Sequence, residues 1–253
     1  MSNVTVLICN YNYGQWIQNA IESVLSSDYS KDKINICLID DCSTDDSVSQ
    51  MFKNFKGKDV YEYGDDSVHI GTIENINTYI LPLIKNRGPS YARNFGIDRT
   101  LHCTDYYLIL DADDEIKPNK ISRMVEVMNI APNMIGVVYA DYETYNNEDG
   151  RTFVEYKESF TPQRLIQECI VHSGSLVNKE ALLSVKDENG FYDCQMRVAE
   201  DYDLWVRLCE KWGIIHIPEI LSRVRIHNNN STNTVDKEIW NDCVKRIASK
   251  GVA

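Results

Sequence analysis

Strand-sized β-branched runs and helix-sized amphipathic stretches take turns along the opening part of this chain, and few architectures accept that alternation. VTVLIC (Val4 to Cys9) is followed by GQWIQNAIESVLSS, in which Ile17, Ala20, Ile21, Val24 and Leu25 fall at helical spacing and form one apolar stripe. INICLID (Ile34 to Asp40) predicts a second strand. Behind it Ser43 is placed to cap a helix with Val48, Met51, Phe52 and Phe55 on its apolar face, and Asp46 stands third in a capping-box-like pattern. Strand, helix, strand, helix implies parallel strands joined by right-handed crossovers and covered on both faces, an α/β open sheet. Ligands gather at the carboxyl ends of such strands. The polar segments stand there: NYNYG after the first strand, DDCSTDD after the second, DADDE after YYLIL.

The second half is less regular. Pro118 is placed to open a helix carrying Ile121, Met124, Val125 and Met128 on one face, and IGVVYA (Ile135 to Ala140) returns as a strand. Thr161 and Pro162 start a short helix, SLVN suits a strand, and YDLWVRLCEKW reads as a helix aligning Trp205, Leu208, Cys209 and Trp212, which makes Trp205 a core residue. IIHIPEILSRVRIH reads as extended and interrupted at Pro218. Without repeats, low-complexity linkers or charge blocks, the expectation is one domain of two lobes, residues 1–115 and 116–235, with a C-terminal helix or tail over 236–253.

The 253 residues can bury a sizeable core, and 43% hydrophobic with 25% charged residues is an ordinary globular composition. A formal net charge of -12 lacks the basic face that sequence-independent binding to nucleic acid needs, so no nucleic-acid partner is expected. Eight cysteines without a CxxC pair indicate neither a zinc site nor a redox motif, and most should be reduced and buried. No apolar run approaches the roughly 20 residues of a membrane span, and MSNVTVLICNYN lacks the character of a signal peptide. The expected location is cytoplasmic, with peripheral membrane association open through KEIWNDCVKRIASKG.

LILDADDEIKP puts four carboxylates, Asp111, Asp113, Asp114 and Glu115, into five positions behind an apolar strand. Like charges that close raise one another's proton affinity unless something positive sits among them. A solvated turn is the plain reading. At a ligand-bearing rim the other reading is Mg²⁺ or Mn²⁺, which use one or two carboxylates and fill the remaining positions from substrate phosphates and water. A helix-loop-helix calcium site counted from Asp111 fails, because Ile116 stands where glycine is needed and Ser122 where glutamate is needed. An aspartyl-phosphate phosphatase would carry its acidic pair on the opening strand and continue into a small hydroxyl residue, where this chain has Glu115. Neither GxxxxGK[ST] nor GxGxxG occurs, so a bound phosphate must be held by metal and side chains.

Six segments, VTVLICNYNYGQWIQNAIESVL, INICLIDDCSTDDS, GPSYARNFGI, YLILDADDEIKP, NGFYD and AEDYDLWVRL, occur in the order and rough spacing of the family-2 inverting glycosyltransferases, and the chain resembles that family over about residues 3 to 230. The resemblance implies the GT-A fold: a Rossmann-like, mostly parallel central sheet with helices on both faces, one domain with donor and acceptor lobes. It also implies transfer of a sugar from a nucleoside diphosphate donor, a UDP-sugar, to a hydroxyl of a glycan, lipid-linked or protein acceptor, with Mn²⁺ or Mg²⁺ as cofactor.

Carried over by position, the resemblance puts Cys9 and Tyr11 in the nucleotide pocket and Asp41 on the N3 hydrogen of a uracil-like base, with Asp40 supporting the loop. Arg93 would stand near the donor phosphates or sugar, and Asn94 would cap or touch the ribose. Asp111 would bind ribose or sugar hydroxyls and Asp113 the metal, while Asp114 leaves a second register open. Asp201 would be the general base, Glu200 would orient it or meet the acceptor, and His227 would be a further metal ligand. His172 and Ser173 fall on the acceptor side, and Gly190 and Phe191 shape the loop before the base. Each has a plain counterpart: a helix-face arginine is usually solvated, an acidic pair opening a helix favours its macrodipole, and a lone histidine is more often structural. Two departures stand out: Cys9 and Asn10 where the family commonly has proline or threonine, and the long link YEYGDDSVHIGTIENINTYILPLIKNRGPS.

Two other functions share these features. A nucleotidyltransferase uses a similar sheet and acidic metal site but attacks phosphorus, and its glycine- and lysine-rich phosphate loop is missing here. A non-catalytic module could bind nucleotide sugar without turnover, against which Asp111, Asp113 and Asp201 speak.

Overall fold

The computed structural model describes residues 1–131, 134–228, 230 and 235–250. In its first strand, β1 (Val4–Asn10), Val4, Val6 and Ile8 enter one hydrophobic core and Leu7 the other, as the two-residue period of a strand requires. β2 (Ile34–Asp40), β5 (Ile76–Pro82) and β6 (Tyr106–Asp111) lie parallel to it in the order β5-β2-β1-β6. All seven residues of β2 are buried, the pattern of a strand covered on both faces.

The covering helices come from the stripes seen in the sequence. On one face α1 (Gly14–Leu25) buries Ile17, Ala20, Ile21 and Val24, and α4 (Lys120–Ile130) buries Ile121, Met124, Val125 and Met128. On the other lie α3 (Pro89–Thr100) and α7 (Glu200–Cys209), the latter with Trp205 fully buried. α3 rests close on the sheet at Gly96, where a Cβ would stand 2.7 Å from Leu7 Cδ1.

Beyond the four parallel strands the sheet is mixed. β3 (Lys56–Tyr63) and β4 (Asp66–Ile73) form an antiparallel hairpin added to β5, which accounts for the long link in the sequence. Across the sheet β10 (Leu176–Asn178) pairs antiparallel with β6 and with β8 (Ile135–Asn146), and β11 (Gly213–Ile226) runs parallel to β8. β7 (Glu115–Ile116) and β9 (Thr152–Glu155) pair with β11 and β8, so among the described residues one sheet of eleven strands runs through both expected lobes.

Several local expectations are corrected. Ser43 does not cap α2 (Ser47–Met51), which follows Asp46 and stops before Phe52 and Phe55. The Ser43 hydroxyl and amide donate instead to the nearer Asp40 carboxylate, at 2.6 and 2.8 Å. β11 continues through Pro218, with register shifts between Ile217 and Ser222 absorbing a residue that has no N–H to donate. α7 ends at Cys209, leaving Trp212 beyond it. All eight cysteines are free thiols, but only Cys37 and Cys243 are buried, and Cys194 is exposed.

α5 (Pro162–Gln167) is capped by Thr161, whose side chain accepts from the Arg164 amide at 3.2 Å. α6 (Lys179–Val185) is capped likewise by Asn178. α8 (Lys237–Lys250) occupies most of the expected C-terminal segment, of which residues 251–253 lie outside the described residues. Cys243 and Ile247 of α8 are buried, and Arg246 donates to Asp193 and Gln195, both at 2.8 Å. No helix among the described residues is long and apolar enough to cross a membrane.

Candidate active site

A cavity of about 740 Å³ opens at the carboxyl ends of the parallel strands. Cys9, Tyr11, Asp41, Arg93, Asp111, Asp113, Asp114, Glu200 and Asp201 all line it, and His227 is tied to it through Asp113. Near its rim Asn12, Cys42 and Ala199 hold left-handed backbone at φ 58, 63 and 56°, a conformation that persists in non-glycine residues only where the surroundings enforce it. For Asn12 the enforcement is visible: its amide donates to Ser43 Oγ and its Oδ1 accepts from Thr44 N, both at 2.8 Å.

The loops after β1 and β2 are pinned by two adjacent aspartates. Asp40 accepts from Asn10 Nδ2 at 2.8 Å as well as from Ser43, so it holds the two loops together. Asp41 accepts the Arg87 amide on Oδ1 at 2.8 Å and the Gly88 amide on Oδ2 at 2.7 Å, fixing the turn that leads into α3. Burial lifts its proton affinity, and those amides oppose the rise. Burial also pushes the Cys9 thiol up to about 12, so it lines the cavity as a neutral group. Tyr11 is 47% exposed and overhangs the same side.

From that turn α3 delivers Arg93 into the middle of the site. Its Nη2 donates to Asp111 Oδ1 at 3.0 Å and its Nη1 to Glu200 Oε1. Burial works against the guanidinium charge, yet Glu200 and Asp111 hold it well above the usual range. Rather than standing free, Arg93 bridges the acidic strand end and the acid pair that opens α7. Asn94 faces away from the cavity. Its Oδ1 accepts from the Phe191 and Tyr192 amides at 3.1 and 2.8 Å, and its Nδ2 donates to Tyr192 O at 2.8 Å and Asn189 O at 3.2 Å. The expected cap or ribose contact is therefore replaced by a clamp on the loop before α7. Gly190 fits beneath that clamp at φ 103°, where a Cβ would stand 2.2 Å from Asn94 Nδ2.

The carboxylate cluster has several positive neighbours. Asp113 Oδ2 lies 3.0 Å from His227 Nε2 and 3.2 Å from Asn230 Nδ2, and Asp114 Oδ1 accepts the Arg225 amide at 2.8 Å. The Arg225 side chain donates to Asp113 O at 3.0 Å and to Glu115 Oε1 at 2.8 Å. Ser173 Oγ donates to Asp111 Oδ2 at 3.1 Å. Lys120 had no signal in the sequence, where a lysine near a helix start reads as solvated. It is fully buried, donates to Ser222 Oγ, and is lowered by burial to about 7, with Asp114 and Asp111 opposing the fall. Burial and neighbouring carboxylates raise the proton affinity of Asp113, and that of Asp114 well above the ordinary range. His172, its ring tilted against Tyr142 with centroids 4.3 Å apart, accepts the Gly174 amide on Nδ1 at 3.0 Å and is held neutral by burial and Lys120, at about 3.

On the opposite wall Asp201 is partly accessible, with Oδ1 held by the Tyr202 amide at 2.8 Å. Burial lifts its proton affinity to about 7; Glu200 adds to the rise, and Arg93 opposes it. A carboxylate poised near neutral pH suits proton abstraction. Arg197 and, from α8, Trp240 also line the cavity, and neither was singled out in the sequence. Trp240 could not have been, because its place depends on how α8 docks.

Among the described residues no group of three or more His, Cys, Asp or Glu is arranged to hold a metal unaided. One carboxylate and one imidazole, Asp113 and His227, nonetheless fit an ion that completes its shell from phosphate and water.

Comparison with known proteins adds independent findings. Residues 5–184 match the model of glycosyl transferase family 2. An uncharacterised glycosyltransferase of Rickettsia typhi is 23% identical over 260 residues, covering 98% of this chain and 73% of that protein. The S. aureus TarS 1–349 crystal structure superposes with a TM-score of 0.72 at 16% identity, covering 98% of this chain and 65% of that one, so this chain spans just under two thirds of it. TarS has been solved with UDP and with UDP-GlcNAc. The mannosyltransferase PcManGT from Pyrobaculum calidifontis, in complex with GDP-Man and Mn²⁺, gives a TM-score of 0.64 at 14% identity, covering 98% of this chain and 69% of that one. The mixed sheet with helices on both faces is thus the fold of these GT-A transferases.

Proposed function

We propose, from the premise that this chain belongs to glycosyl transferase family 2, that its cavity takes a UDP-sugar and passes the sugar with inversion to an acceptor hydroxyl, Asp201 serving as general base. The observation that carries this reading is the position and poise of Asp201: in the same cavity as Asp111 and Asp113, linked to Asp111 through Glu200 and Arg93, with its proton affinity near neutrality.

The donor half comprises residues 1–115. Asp41 reads the N3 hydrogen of uracil; each of its oxygens already accepts one amide, which fixes the carboxylate and leaves further lone pairs for the base. Cys9 and Tyr11 line the nucleoside. Asp111, steadied by Arg93 and Ser173, meets ribose or sugar hydroxyls. Asp113 and His227 hold Mn²⁺ or Mg²⁺, which when bound supplies positive charge to the leaving diphosphate. The UDP complexes of TarS support the uridine donor, and the GDP-Man complex of PcManGT makes guanosine the competitor to test.

Residues 116–235 carry the acceptor side and lend Ser173 and His227 to the donor half. The Asp201 carboxylate takes the hydroxyl proton while the acceptor oxygen bonds to the anomeric carbon. The bond from that carbon to the diphosphate breaks on the opposite face, and its electron pair leaves with the diphosphate. Glu200, held by Arg93, keeps negative charge beside Asp201 and so keeps the base strong.

The test is consumption of UDP- and GDP-sugars by the protein with Mn²⁺, followed by mass spectrometry of the products. Wild-type protein should release UDP and move the sugar, and Asp201→Asn should lose about 10²- to 10⁴-fold in rate while keeping its affinity for UDP. An Asp201→Asn variant turning over at the wild-type rate, or products carrying the nucleotide in place of the sugar, would refute the reading.

A further inference from the structure

Three arginines line the cavity, and two are already spent. Arg93 is engaged by Asp111 and Glu200, and Arg225 by Asp113 O, Glu115 and Asn147. Arg197 is exposed, and among the described residues it makes no hydrogen bond or ion pair. An unpaired guanidinium on the wall of a cavity otherwise rich in carboxylates is a site for an anion that arrives with the ligand.

Stereochemistry decides which anion. In an in-line displacement the leaving diphosphate and the incoming hydroxyl occupy opposite faces of the anomeric carbon, and the base stands on the incoming side. Arg197 belongs to the segment that carries the base, three residues before Glu200 and four before Asp201. Trp240 lines the same cavity from α8, which Arg246 fastens to the 193–195 stretch just ahead of Arg197. A half-buried indole offers a flat apolar face to the C–H side of a pyranose, and the guanidinium beside that segment offers paired donors to a planar or tetrahedral oxyanion.

We propose that Arg197 and Trp240 form the acceptor subsite, and that the acceptor is a sugar bearing an acidic substituent, a carboxylate or a phosphate. This rests on the glycosyltransferase reading given above. The diphosphate of the donor is left to the Asp113 side of the cavity.

The experiment is a pair of titrations on the full chain. The first measures UDP binding with Mg²⁺ by calorimetry for wild type, Arg197→Gln and Trp240→Ala. The second measures, on the UDP-saturated protein by ligand-observed NMR, the affinities of methyl β-D-glucoside, methyl β-D-glucuronide and methyl β-D-glucoside 6-phosphate. Wild type should bind one of the two charged glycosides about tenfold more tightly than the neutral one, the value of one charge-assisted contact, and which of them gains tells carboxylate from phosphate. Arg197→Gln should erase that preference and leave UDP affinity within about twofold of wild type. Trp240→Ala should weaken all three glycosides together.

Equal affinities for the three glycosides in wild type would overturn the proposal. So would a tenfold loss of UDP affinity in Arg197→Gln, which would hand the guanidinium to the donor. Failure of the wild-type protein to bind UDP and, in the same titration, GDP would be a different result, removing the transferase reading and this inference with it.

Discussion

Arg93 and Glu200 are hydrogen-bonded across 107 positions of sequence, and through that bond the middle of α3 and the first residue of α7 share one buried guanidinium. Asp111 occupies the other terminal nitrogen, so the acidic end of β6 and the acid pair that opens α7 are joined at a single side chain. Lysine keeps the charge but cannot present the planar fork that two carboxylates require. Arg93→Lys is expected to lower kcat by about 10²-fold and stability by about 1–3 kcal/mol, read by steady-state kinetics and urea denaturation of the same preparation. Wild-type kcat in this variant would show that the bridge does not position Asp201.

The rate should rise with pH through an inflection near 7, where Asp201 loses its proton. The same group has a folded-state proton affinity above its unfolded value of 3.8, so the native state holds the extra proton and stability falls as pH climbs between the two values. Asp201→Asn, which has nothing to ionise, should therefore melt higher than wild type, with a wider gap at pH 8 than at pH 5. A gap independent of pH, by differential scanning calorimetry, would contradict the assignment.

Asn94 makes four hydrogen bonds to the backbone of the loop before α7. Asn94→Ala leaves those buried groups without their partner and should cost about 2–4 kcal/mol. The loop over residues 187–198 should then be cut faster by trypsin than in wild type, at Arg197 first. Gly190→Ala, at φ 103° with the Asn94 amide in the way, should produce the same proteolytic pattern.

Asp113→Asn and His227→Ala should each raise the Mn²⁺ concentration for half-maximal donor consumption by about tenfold or more. Asp114 is turned onto the Arg225 amide, so Asp114→Asn should act mainly on stability. If Asp114→Asn alone raised the metal requirement, the acidic motif would be in the other register.

Much of the first half could be read from the chain because it is local. The strand INICLID has the bounds expected of it, since a run that is apolar but for Asn35 and is closed by Asp40 and Asp41 has one sensible place in a parallel sheet. The acidic strand end and the acid pair opening α7 were likewise visible as motifs. Hidden were the relations that span long stretches of sequence: the buried Lys120 amine among the aspartates, Asn94 gripping a loop nearly a hundred residues away, Trp240 brought to the cavity by the docking of α8. Periodicity describes one element at a time, and these contacts exist only when two are packed. The hairpin of β3 and β4 was concealed for a simpler reason. Its outer strand has no buried side to give it an apolar alternation.

That outer strand also finishes the sheet in a particular way. All eight residues of β3 face solvent, which leaves backbone donors and acceptors free to recruit a strand from another molecule. Lys56, Lys58, Asp59 and Glu62 stand along it, and its pairing with β4 shifts register between Gly57 and Asp59. A second copy laid against this margin would have to desolvate those charges and match a kinked ladder, so the segment that widens the sheet also guards it against fibre-like stacking.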